Sequence, residues 1–337
     1  MRIIVPMAGM GKRMRPHTLT TPKPLLPVAG KPIVQLLCEE LAKVCSEKIE
    51  EIAFVIGDFG HEAEKNLIKV AESLGAKGSI YHQTEALGTA HAVLCAANSL
   101  SGKVIVAFAD TLFKADFAMD ETKDAIIWVQ KIDDPSAFGV VTLGGDGNIT
   151  AFVEKPKDYV SDLAIIGIYY FKDGDNLKAE LQYLIDNAVM DKGEYQITNA
   201  LENIKNKGLK IAPGEVIEWL DCGNKDATVH TNLRWLELHS GEYTTPASLK
   251  NTGGKIIPPC FIGENVEINN STVGPYVSIG DGSRIENSVV TNSIIQKNAL
   301  VRNAEITNSM LGNNAQVHGG KLELSLGDFS VINLTAN

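Results

Sequence analysis

The sequence predicts an α/β domain with a mostly parallel sheet, followed by a short parallel β-helix. Three observations carry this expectation. From residue 1 to about residue 240, runs rich in β-branched residues alternate with helical periodicity. The Pro/Gly-dotted stretch "TTPASLKNTGGKIIPP" then interrupts the pattern. Beyond it, aliphatic residues return at steps of five or six between Gly, Asn, Ser and Asp, a period that a helix does not have and a hexapeptide β-helix does.

Arg2-Ile3-Ile4-Val5-Pro6-Met7 reads as the first strand. The loop after it, "MAGMGKRMRPHTLTTPKPLLPVAGKP", is built to face an anion. Gly9 and Gly11 let the backbone turn tightly, so that successive N–H groups can point at one charge. Pro16, Pro22, Pro24 and Pro27 exclude a regular helix and stiffen an extended excursion that carries Arg13 and Lys23 over that anion. Met14 occupies the third glycine position of a dinucleotide fingerprint, and no Gly-Lys-Ser/Thr ends the loop, so neither standard nucleotide motif is met.

Further strands are expected at Glu51–Ile56, Ser79–His82, Val104–Phe108, Ala125–Ile132, Gly139–Leu143, Ile149–Glu154 and Ile165–Phe171. Helical periodicity fits Ile33–Glu47, Glu62–Leu74, Thr89–Leu100, Asn176–Met190, Gln196–Lys207 and Lys225–His239, with Pro32 suited to the first turn of the first helix. In the repeat region, three steps make one coil. Ile262, Ile279, Ile295 and Leu311 should therefore form one column in a β-helix of about four coils.

Composition limits the functions open to this fold. A net charge of −10 over 337 residues disfavours broad attraction to nucleic acid or to an anionic membrane. No apolar run approaches the ~20 residues of a membrane span, and no signal-peptide pattern opens the chain. Cys38, Cys45, Cys95, Cys222 and Cys260 form no CxxC pair, which fits reduced thiols in a cytoplasmic protein.

Four short phrases supply candidate chemistry at the ligand edge of the sheet. "HQTEALGTAHAV" offers the Gln83 amide to a base edge, with a turn at Gly88 and a helix from Thr89. "VIVAFADTLF" ends a strand on Asp110, a candidate for a metal ion. "AFVEKP" closes another on Glu154 and Lys155, a pair fitted to a sugar hydroxyl and a phosphate, and "EWLDCG" adds the isolated carboxylate of Asp221.

Taken together these phrases resemble the nucleoside-diphosphate-sugar pyrophosphorylases, or sugar-1-phosphate nucleotidyltransferases. The family signature G-x-G-x-R, then P-K-P-L-L-P, is matched by Gly9, Gly11, Arg13 and Pro22-Lys23-Pro24-Leu25-Leu26-Pro27. "GEYQITNAL", "WLDCG" and Leu87-Gly88-Thr89 resemble phrases of the glucose-1-phosphate thymidylyl- and uridylyltransferases. The resemblance implies a Rossmann-like nucleotidyltransferase domain over residues 1–243 and a hexapeptide-repeat left-handed β-helix over 244–337.

It further implies roles for individual residues. Ala8 and Gly9 would touch base and ribose, and Gly11, Lys12 and Arg13 would hold the triphosphate. Lys23 would sit near the reacting phosphates, and Gln83, Gly88 and Thr89 would bind the pyrimidine end of the nucleotide. Asp110 and Asp221 would hold Mg2+. Gly139, Glu154 and Gly167 would meet the sugar, and Lys155 its phosphate. Two departures stand out, Ala109 where the family usually has glycine and Asn199 where many relatives have aspartate. The substrates implied are a nucleoside triphosphate (dTTP or UTP) and a sugar 1-phosphate, with glucose 1-phosphate favoured. A homo-oligomer associating through the β-helix is expected, with no nucleic-acid or membrane partner. Two other readings stay open at this point: an added hexapeptide acyltransferase activity using His318, and a nucleotide-binding regulator without turnover.

Overall fold

The computed structural model describes residues 1–115 and 119–334. Packing divides the chain into two compact units: Met1–Gly9 with Leu37–Trp219, and Met10–Leu36 with Leu220–Asn337.

The first unit is a mixed α/β sheet with a Rossmann-like parallel half. Its strands are β1 (Arg2–Pro6), β2 (Glu51–Ile56), β3 (Lys77–His82), β4 (Val104–Ala107), β5 (Ala125–Lys131), β6 (Gly139–Leu143), β7 (Ile149–Glu154), β8 (Leu163–Phe171) and β9 (Ile211–Glu215). The spatial order is β7-β6-β8-β4-β1-β2-β3, with β5 also against β8 and β9 against β5. β4, β1, β2 and β3 run parallel; β4, β1 and β2 are the near-continuous apolar runs expected of strands covered on both faces, and β3 is the more exposed edge. β8 is antiparallel to β4, β5 and β6 and joins the two halves. Its register with β5 shifts between Ile165 and Tyr169, where Gly167 takes φ +84°. β9, "IAPGE", escapes sequence reading because of Pro213 and Gly214. It pairs with β5 alone, and an edge is where a strand tolerates proline.

Helices α1 (Ile33–Val44), α2 (His61–Ser73), α3 (Thr89–Cys95), α4 (Gly174–Asp186) and α5 (Ile197–Asn206) belong wholly or mostly to this unit. The expected helix from Thr89 ends at Cys95 and passes into a 3₁₀ turn at Ala97–Ser99. Asp173 caps α4 by accepting N–H bonds from Asp175 and Asn176. Leu177, Leu181, Leu184, Leu201 and Ile204 of α4 and α5 join Ile4, Val55, Val104, Val106 and Ile127 in one core.

The second unit holds α6 (Lys225–Leu238) and a left-handed β-helix whose three faces carry, among the described residues, six, five and five short parallel strands. The column Ile262–Ile279–Ile295–Leu311 stacks in register as expected and continues to Leu326. The β-helix lies within the expected residues 244–337 but has more coils than the four or so expected. Lys250–Thr252 and Lys255–Ile256, inside the Pro/Gly-dotted stretch, already pair with the next coil, and the last strand is Val331–Asn333. Corners are turned by Asn265, Asn270, Asn287, Asn292, Asn298, Asn303, Asn308 and Asn314, all at positive φ, a conformation asparagine tolerates.

The signature loop Met10–Leu36 also lies in this unit. It is not a plain extended excursion: its prolines separate three 3₁₀ turns, Lys12–Met14, His17–Leu19 and Lys23–Leu25. Pro32 lies just before α1, in a short antiparallel bridge of Lys31–Pro32 with Pro27–Val28. The loop rests on the β-helix along its length. A Cβ on Gly30 would fall 2.1 Å from the Phe261 ring. Asn232 Oδ1 accepts from both Ala29 N–H and Ser278 Oγ. His17 Nε2 lies 3.3 Å from Ser325 Oγ, and Thr20 Oγ1 donates to Asp328 Oδ2 at 2.9 Å.

Candidate active site

In the first unit, Ala8 and Gly9 leave the end of β1. Gly9 is not at positive φ, and a Cβ there would meet nothing within 4 Å, so its turn does not require glycine. The open space is where a ligand can approach the backbone. Gln83 follows β3, and its Nε2 reaches Gly88 C=O at 3.2 Å and His91 Nδ1 at 3.1 Å. Gly88 is required by geometry: it sits at φ +109°, and a Cβ there would fall only 2.5 Å from Tyr195 O. Thr89 Oγ1 donates to Gln196 Oε1 and accepts from Ile197 N–H, which ties the start of α3 to the start of α5. The "GEYQITNAL" phrase thus supports the Gln83–Thr89 segment, a role invisible without the tertiary packing.

The same unit gathers Asp110, Gly139, Glu154 and Gly167 around β8. Phe108 N–H donates to Gly167 C=O at 2.9 Å and Thr111 Oγ1 to Ile166 C=O at 2.7 Å, so both sides of Asp110 are fastened to the bulge. A Cβ on Gly139 would lie 3.0 Å from Glu154 Oε2. Burial pushes the Glu154 carboxyl up, against the opposing pull of Lys155 and Lys192. Lys155, itself at φ +43°, has Nζ 3.8 Å from Glu154 Oε1 and more than half of its side chain exposed. Tyr169, which no sequence signal singled out, lies beneath. Burial, then the nearby carboxylates of Glu154 and Asp110, keeps its phenol protonated.

The second unit brings together Gly11, Arg13, Lys23 and Asp221. Gly11 is in the left-handed region (φ +57°), and a Cβ there would lie 2.9 Å from Lys23 Cβ. Thr18 Oγ1 holds the turn by donating to Gly11 C=O. Lys12 and Arg13 are exposed on the first 3₁₀ turn, whereas Lys23 is only 8% exposed. Met14, in the third fingerprint position, is buried against Thr228 Oγ1. Asp221 Oδ1 accepts from Gly223 N–H at 3.0 Å, and its main-chain oxygen accepts from Thr231 Oγ1. A Cβ on Gly223 would meet the Asp221 carboxylate at 2.9 Å and an Arg13 guanidinium nitrogen at 3.4 Å, so these two charges flank one glycine. His318 is elsewhere, on the β-helix, with Nε2 3.4 Å from Gln316 Oε1.

Comparison with known proteins gives the chain its family. The family model described as nucleotidyl transferase matches residues 3–237. A glucose-1-phosphate thymidylyltransferase of Streptomyces antibioticus is 30% identical over 320 residues, covering 88% of this chain and 87% of that one. A low-salt glycan biosynthesis nucleotidyltransferase of Haloferax volcanii is 28% identical over 329 residues, with 88% and 87% covered. Among solved structures, a UDP-glucose pyrophosphorylase complexed with UDP-glucose shares the fold, with a TM-score of 0.58 and 23% identity over 70% of this chain and 98% of that one. This chain belongs to the nucleotidyl transferase family.

Proposed function

We propose that the protein joins a nucleoside triphosphate, dTTP or UTP, to a sugar 1-phosphate, with glucose 1-phosphate favoured, and releases pyrophosphate. One observation carries this reading. The signature loop folds Lys23 out of solvent against Gly11 and sets Arg13 beside Asp221. Two cationic side chains brought to one glycine-rich turn suit a polyanionic substrate, which charge-assisted hydrogen bonds would hold.

In this reaction an oxygen of the sugar phosphate attacks the α-phosphorus, and the bond to the pyrophosphate oxygen breaks. The attacking phosphate is already mostly ionised near neutrality, its second pKa being about 6, so no general base is required. What remains is to bring two polyanions together and stabilise the in-line transition state. Gly11, Lys12, Arg13 and Lys23 would hold the triphosphate, and Ala8, Gly9, Gln83, Gly88 and Thr89 the nucleoside. Gly139, Glu154 and Gly167 would hold the sugar and Lys155 its phosphate.

Asp110 and Asp221 would be the carboxylates that hold Mg2+. Their hard oxygen donors suit it. Mg2+ takes one or two carboxylates and completes its shell with phosphate oxygens and water. When bound, the metal supplies positive charge where the phosphates crowd. Phe329, Val331 and Leu334, exposed on the last coil, would meet a second copy of the chain. No helix among the described residues is long and apolar enough to cross a membrane. The experiment is pyrophosphate release with purified protein, Mg2+, each nucleoside triphosphate and each of several sugar 1-phosphates.

A further inference from the structure

The Gln83 amide is oriented by the protein. Gly88 C=O can only accept, so the group 3.2 Å from it must be the amide nitrogen rather than the oxygen. The second N–H of Nε2 then points at His91 Nδ1, 3.1 Å away, which must accept it. His91 therefore carries its proton on Nε2. With both protons of Nε2 committed, Oε1 is the part of the amide left for a ligand.

We infer that His91 is a positioning residue that fixes Gln83 as a hydrogen-bond acceptor and so selects thymine or uracil over cytosine. This rests on the proposal that Gln83 reads the base. Thymine and uracil carry a proton on N3, which Oε1 can accept. Cytosine has a lone pair at N3, which would face the lone pairs of Oε1. Without His91 the amide keeps only its Gly88 contact, so turning over to offer N–H groups, which cytosine accepts, becomes easier. A site made to hydrogen-bond one pattern rejects the other strongly, because a mismatch leaves polar groups unpaired.

The test is equilibrium binding of UTP and CTP, in Mg2+, to the full chain and to three variants. The native protein should bind UTP ~100-fold more tightly than CTP, as expected for a well-formed polar discrimination. His91→Leu should reduce that ratio to within ~5-fold, mainly by improving CTP, and His91→Asn, which restores an acceptor, should recover most of it. Gln83→Ala should abolish the ratio. A native ratio near one, or one that survives Gln83→Ala, overturns the base reading and the inference with it. A ratio lost in Gln83→Ala but kept in His91→Leu overturns the role of His91 alone. Independently of any variant, long-range ¹H–¹⁵N spectra of the native protein should show His91 Nδ1 unprotonated, and a protonated Nδ1 would refute the assignment.

Discussion

His17 Nε2 in the signature loop lies 3.3 Å from Ser325 Oγ in the last coils of the β-helix, although 308 positions separate them. Pro16 packs at the same place, 3.0 Å from where a Gly327 Cβ would be, and Thr20 donates to Asp328. The loop that carries Arg13 and Lys23 is therefore seated on the repeat region.

If Arg13 and Lys23 hold the triphosphate as proposed, this seat would give the β-helix a part in turnover that the repeat pattern alone does not suggest. From sequence, removing residues 245–337 should cost stability or assembly more than turnover per folded molecule. With the loop resting on Ser325, Gly327 and Asp328, turnover should fall as well. Thr20→Val combined with Ser325→Ala removes the two hydrogen bonds from the loop to the last coils, each contributing about 1 kcal/mol. Initial rates should drop by roughly 3- to 30-fold, the range that 1–2 kcal/mol of lost positioning represents. Thermal unfolding of the same variant should move by only a few degrees.

His17 makes stability depend on pH. Burial lowers its pKa from the ordinary 6.5 to about 4, with Asp328 pulling it up and Lys225 pushing it down. Below the ordinary value the unfolded chain takes a proton that the folded chain refuses. The stabilisation is thus complete above about pH 6.5 and is lost as pH falls towards 4, by at most about 3 kcal/mol. In His17→Gln the loss over that window should shrink by this amount, measured as the difference between denaturant unfolding free energies at pH 7 and pH 4.5.

Gly88 tolerates no side chain. In Gly88→Ala the new methyl would meet Tyr195 O at 2.5 Å with the backbone at φ +109°. The segment must shift at a cost of about 1–3 kcal/mol or more. The Gln83 amide loses its Gly88 partner in the process, so KM for the nucleotide should rise well before KM for the sugar phosphate, as steady-state kinetics will show.

Much of this was legible in the chain. The Ile262–Ile279–Ile295–Leu311 column follows from a six-residue period because each short strand contributes one inward side chain. Gly11, Arg13, Lys23 and Asp221 could be singled out by motif. What the sequence could not show is what seats them. The His17–Ser325 and Thr89–Gln196 hydrogen bonds join residues with no shared periodicity, and β9 hides behind Pro213. Nor does sequence tell which glycine is conformational: Gly11 needs its positive φ, whereas Gly9 does not.

The proposed metal carboxylates make a sharper demand. Asp110→Asn and Asp221→Asn keep size and shape but remove the charge. Each should lower turnover by about two orders of magnitude, as for a lost transition-state contact, while nucleotide binding without metal changes little. Titrating Mg2+ against initial rate checks this, and near-normal turnover of both variants at low Mg2+ would count against the assignment.

The central claim is nucleotidyl transfer between a pyrimidine nucleoside triphosphate and a sugar 1-phosphate. Its most direct measurement is pyrophosphate release from dTTP, UTP, CTP, GTP and ATP, each with glucose 1-phosphate and a set of other sugar 1-phosphates. The account predicts release that needs both substrates, is greatest with dTTP or UTP, and yields one NDP-sugar per pyrophosphate. Release with no pair, or a preference for GTP or ATP, would contradict it.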